Sequence, residues 1–127
     1  MQEKDLFEYA VIRVVPRVER EEFLNVCVVL YCAKKRFLQV AFNLDESRLV
    51  AFSPELDIDE VKTYLCAFEL ICQGAAAGGK IAKLPIAERF RWLTATRSTV
   101  VQTSKVHPGF CSDPAEMLQR LFMQLVL

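Results

Sequence analysis

Apolar and polar positions alternate through Glu8 to Pro16. Tyr9, Val11 and Val15 fall on one face of an extended chain, and Ala10, Ile12 and Val14 on the other. Arg13 interrupts the first face. A charged stretch, Arg17 to Glu22, predicts an exposed connection. The next segment, Phe23 to Cys32, is apolar at nearly every position, as in a central strand covered on both faces. Ala33-Lys34-Lys35-Arg36 then turns into a third strand, Phe37 to Phe42. Connections this short exclude crossovers, so the three strands form an antiparallel meander.

Beyond Phe42 the period changes. Asp45 caps a short helix that runs to Phe52 and ends at Ser53-Pro54. Asp57 and Glu60 resemble a capping box, and Val61, Tyr64, Leu65, Phe68, Ile71 and Cys72 recur at helical spacing until Gly74. Gly74-Ala-Ala-Ala-Gly-Gly79 reads as a loose connection. Pro85 opens a helix whose Ile86, Phe90 and Leu93 share a face. Thr99 to Thr103 is the fourth strand. Asp113-Pro114 caps a final helix with a stripe of Leu118, Leu121, Phe122 and Leu125. The pattern predicts one domain over residues 1–127, of the α+β class: an antiparallel sheet of about four strands with helices packed on it.

Composition narrows the function classes. With 127 residues, 53% of them hydrophobic, the chain is long enough for one core and too apolar to be disordered. Sixteen basic residues balance sixteen acidic ones, which removes a global basic field and ranks nucleic acid last among partners. The longest apolar run, Val26 to Ala33, has eight residues, where a membrane-spanning helix needs about 20. The charged start and the five unpaired-looking cysteines lead to the expectation of a reduced, cytoplasmic protein.

Few motifs carry chemistry. Gly74 to Lys80 has the spacing of a phosphate-binding loop. However, a helix precedes the glycines and Ile81 stands where a hydroxyl is needed, so a linker is expected. His107 and Cys111, four apart across Pro108-Gly109, make neither a zinc site nor a ready catalytic pair. The expectation is no metal and no cofactor, with the cysteines as buried apolar groups. The segment Ala87 to Thr99 is richer. Its arginines and hydroxyls, with His107 beyond it, suit a phosphate or carboxylate, and Arg89, Arg97, Ser98, Thr99 and His107 are the candidate anion-binding residues. Trp92 is placed to stack on a base. Arg89 and Arg91 could equally solvate a helix face.

Two stretches resemble a known family. They are Tyr9-Ala-Val-Ile-Arg-Val-Val-Pro16 with Glu22-Phe-Leu-Asn-Val-Cys-Val-Val-Leu-Tyr-Cys32, and Ala87-Glu-Arg-Phe-Arg-Trp-Leu-Thr-Ala-Thr-Arg-Ser-Thr-Val-Val-Gln102 with Val106-His107 and Gly109. Together they resemble the bacterial family called domain of unknown function 3037. The resemblance carries no activity. It implies a protein partner, because such proteins are often encoded beside a kinase-like protein related to the HipA toxin. The matching polar positions are Arg13, Asn25, Glu88, Arg89, Arg97, Ser98, Thr99 and His107. This chain has Thr96 where the family usually has a proline-like residue, which implies a less rigid turn.

Asn25 sits in an apolar strand, and a buried amide without partners costs about 1–3 kcal/mol. Arg13 on the neighbouring strand poses the same problem, so a polar network linking both to the Arg97-Ser98-Thr99 turn is expected. Two functional readings follow. The first is a small interaction or accessory module acting with a HipA-like kinase or another protein, or with a second copy as a homodimer. The second is an anion- or nucleotide-binding enzyme using the Arg89–His107 segment.

Overall fold

Strands β1 (Asp5–Val14), β2 (Leu24–Cys32) and β3 (Phe37–Phe42) form the antiparallel meander that the alternation predicts. The structure is a computed structural model, and it describes residues 4–95 and 100–127. Four helices follow the pattern closely: α1 (Glu46–Phe52), α2 (Ile58–Gln73), α3 (Ile86–Leu93) and α4 (Pro114–Leu125). Each predicted aspartate cap is in place. The side chain of Asp45 accepts from Arg48 N–H, Asp57 from Glu60 N–H, and Asp113 from Ala115 and Glu116 N–H.

The sheet is larger than the pattern suggested. Beside β1 lie two short strands, β4 (Val101–Thr103) and β5 (His107–Cys111), so the sheet has five strands. They act as one interrupted edge strand. Ile12 pairs with Thr103 but Tyr9 pairs with His107, which leaves one extra residue between them. Ser104 spans the step: its N–H donates to Val11 O at 2.8 Å, and its hydroxyl accepts from Val11 N–H at 2.9 Å. Pro108 and Gly109 usually break a strand, yet β5 is strand because it lies at an edge. Val11 fixes the odd positions of β1 as those bonded to this edge. Pro108 pairs with Glu8, so its missing N–H faces outward and costs the ladder nothing.

Two apolar layers enclose the sheet. On one face Ala10, Ile12, Val14, Cys27 and Val29 pack under α2 and α3; on the other Phe7, Val28, Leu30, Cys32 and Cys111 pack under α4. That makes β2 the doubly covered strand its composition predicts. The β1–β2 pairing slips by one residue between Ile12 and Arg13, with Val26 as the extra residue. The bulge keeps Val26 and Cys27 in the same cluster and turns Asn25 toward α4. Val126 is buried against that same layer, while Leu127 is exposed.

The glycine-rich connection is more ordered than a linker. Gly74 ends α2 in the left-handed conformation, φ 67°, and its N–H donates to Ile71 O. The chain then forms two 3-10 turns, Ala76–Gly78 and Ile81–Lys83. These glycines close a helix and do not open one, so their amides do not gather at a helix start as a phosphate loop requires.

Candidate functional site

Arg89 is placed by α3, whose Phe90 and Leu93 enter the core and leave the arginine facing the end of α2. Its Nη1 donates to Ile71 O at 3.0 Å and to Cys72 O at 2.9 Å. The last carbonyls of a helix have no partner within it, and a guanidinium beside them also meets the negative end of the helix dipole. Gly74 allows this approach, since a Cβ there would lie 2.9 Å from Nη1. Arg89 therefore fastens α2 to α3.

Asn25 performs a similar task on the other face. Its Nδ2 donates to Leu125 O at 3.1 Å, and Arg48 Nη1 donates to Val126 O at 3.0 Å, so two side chains hold the end of α4. The Asn25 Oδ1 is buried without a partner among the described residues. Arg13 pairs by register with Asn25 on β2 and with Gln102 on β4, which brings the two expected network members side by side. The Arg13 guanidinium lies over the Phe23 ring, 4.0 Å from its centre, and burial lowers its pKa from the ordinary value. Arg97, Ser98 and Thr99 lie outside the described residues, as does the turn they were expected to form.

His107 stands apart from Arg89. Its ring packs on Tyr9, 5.3 Å between centres, on the face that carries α4. Arg89 lies on the α2 side, near β3. Three strand spacings separate the two edges, about 14 Å. Along β5, His107 and Cys111 are also about 13 Å apart at the usual rise per residue. The structure thus brings His107 to neither Arg89 nor Cys111.

A cleft joins Arg89 to residues that the sequence did not single out. It has a volume of about 550 Å³. Residues 36–40 line one side; Glu69, Cys72 and Gln73 of α2 with Ile86 and Arg89 of α3 line the other. Four consecutive residues of β3, 37–40, point alternately to both faces, so the cleft runs along the edge of β3 from the turn residue Arg36. Glu69 and Gln73, four apart on α2, carried a faint signal: polar positions flanking an apolar stripe. Arg36 was read only as part of a basic turn. In that turn Lys34 and Lys35 lie 3.8 and 3.7 Å from the carboxylate of nearly buried Asp5, which leaves Arg36 as the member lining the cleft.

The thiols reflect this burial. Cys27, Cys32, Cys72 and Cys111 are buried, whereas Cys66 is exposed, against the expectation that all are core groups. Burial pushes the Cys72 thiol up to about 12, with Arg89 opposing and Glu69 adding. Burial, then Cys72 and Glu69, raise Cys27 as well. An unfolded thiol ionises near 9.0, so the fold keeps its full advantage below pH 9 and loses it as pH rises toward 12. For Cys72 the complete loss is about 4 kcal/mol. A thiol reagent at pH 8 is expected to label Cys66 at once and the other four only on unfolding. Cys72→Ala should flatten the decline in urea stability between pH 9 and 11.

Residues 9–126 match the model of a family described as a protein of unknown function, DUF3037. The chain belongs to that family. No curated protein and no solved structure matches it. In this member of DUF3037, three of the polar residues quoted for the resemblance have described places: Arg89 at the end of α2, Asn25 at the end of α4, and Arg13 between its two strand neighbours. Gly109 also has one, since the Phe7 ring lies directly over it.

Proposed function

We propose that the protein is an accessory module that acts by binding another protein, with a HipA-like kinase as the candidate partner. One observation carries this reading: the cleft along β3 exposes a strand edge, a surface suited to another chain. Two of the five polar residues expected to bind an anion have described places, and they lie apart. Arg89 holds helix carbonyls, and His107 lies at the far edge on the opposite face.

Co-expression with the kinase-like product of a neighbouring gene tests the proposal. The expected result is a stoichiometric complex that survives size-exclusion chromatography. A monodisperse monomer with no co-purifying kinase would contradict it. A second reading, anion or nucleotide binding, is favoured only by the presence of Arg36 and Arg89 in one cleft.

A further inference from the structure

We infer that the outer edge of β3 receives an extended acidic segment of the partner as a further strand of the sheet. The inference rests on the interaction reading above and names its site and ligand chemistry.

The backbone comes first. Asn43 N–H donates to Val26 O, which fixes the odd positions of β3 as those turned toward β2. Leu38, Val40 and Phe42 therefore direct their N–H and C=O groups outward, the first two into the cleft. A free edge is a template for another strand, and proteins usually blunt it with proline, lysine or a bulge. The opposite edge of this sheet has two such devices, the step at Ser104 and the outward nitrogen of Pro108. The segment Phe37–Phe42 has none of them, and its pairing with β2 is unbroken. Main-chain pairing would supply affinity there, while the cleft walls select the incoming side chains.

Charge then decides the occupant. Arg36, Arg89 and Glu69 are the charged residues of the cleft, so the balance is positive. Among the described residues, neither arginine forms a salt bridge. Arg36 also occupies a left-handed backbone position, φ 50°, where glycine or asparagine is cheaper by about 1 kcal/mol. A residue held there despite that cost fits a role for its side chain. Carboxylates on the added segment meet the Arg36 guanidinium, while Arg89, whose Nη1 is held by the Ile71 and Cys72 carbonyls, adds positive charge to the cleft wall. A second copy of the chain would instead bring the same positive cleft residues to the interface.

The probes are two acetylated octapeptides, one alternating valine with glutamate and the other valine with lysine. The glutamate peptide should bind at millimolar concentration or better and slow amide exchange at Leu38 and Val40 at least tenfold. The lysine peptide should not. Arg36→Glu should weaken the glutamate peptide at least tenfold, and Val40→Pro should abolish its binding by removing an outward N–H. Equal binding of both peptides, no protection at Leu38 and Val40, or binding of inorganic phosphate or ATP alone would overturn the inference. A concentration-dependent dimer lost in Val40→Pro, without peptide binding, would overturn it in favour of a second copy. The kinase co-purification separates the two levels. If Arg36→Glu and Val40→Pro, both folded by circular dichroism, retain the kinase, the β3 site is wrong and the module reading stands. If the unaltered protein binds no kinase while the glutamate peptide protects Leu38 and Val40, the kinase reading fails and the edge site stands.

Discussion

Gly109→Ala destabilises the protein by about 3 kcal/mol, the upper end of what overpacking of a core usually costs. Gly109 pairs with Phe7 across the β1–β5 ladder, and the Phe7 ring lies over the glycine. A Cβ at position 109 would stand 2.5 Å from Phe7 Cζ and 2.8 Å from Cε1. Real carbon atoms do not approach so closely, so either the ring or the strand must move. The ring has nowhere to go. Phe7 is 4% exposed and packs with Val28, Leu30, Cys111 and Leu118. In a domain of this size the expected fall in Tm is roughly 10 °C. Phe7→Leu shortens the offending group, so the double variant should recover part of the loss, a coupling that a double-mutant cycle reads directly. An unchanged Tm for Gly109→Ala would mean that the Phe7 ring does not cover this position.

Arg89→Ala should cost a similar amount, about 3 kcal/mol. Hydrogen bonds from a charged donor are worth about 1.5–3 kcal/mol each, and Arg89 makes two, to Ile71 and Cys72 carbonyls. Part of that is returned, because its buried Nε has no partner among the described residues and leaves with the side chain. Urea denaturation gives the total. Amide exchange gives the location, with the last turn of α2 losing protection first. Arg89→Lys should recover only part of the loss, since both bonds come from Nη1 at the tip of the arginine and the shorter lysine chain ends one atom before it. A cost below about 0.5 kcal/mol for Arg89→Ala would remove the fastening role.

The comparison of sequence with structure divides along the range of the interactions involved. The three-strand meander, the capped starts at Asp45, Asp57 and Asp113, and the end of α2 at Gly74 are local, and each was legible in spacing or in one residue's chemistry. β5 was not, because Pro108 and Gly109 break a strand in most settings. They are tolerated only where the proline nitrogen faces outward and an aromatic ring covers the glycine, and both conditions depend on β1. Asn25 shows the same limit. Strict alternation sends it to the α2 face, and the Val26 bulge sends it to α4, where the Leu125 carbonyl accepts from it. The candidate site was half legible. Arg89 was visible as an arginine of interest, but its engagement with α2 follows from how two helices pack. The open edge of β3 was invisible for a topological reason. Had residues 101–111 paired with β3 instead of β1, that edge would be closed.

The central claim is that β3 presents a free, ordered strand edge, and residue-resolved amide hydrogen exchange on the unliganded protein tests it without assuming any ligand. The account predicts alternation. Gln39 and Ala41, bonded to β2, should exchange slowly, and Leu38, Val40 and Phe42 should exchange at least a hundredfold faster. Equal protection at all five positions would mean that something already occupies the edge, and the account would be wrong.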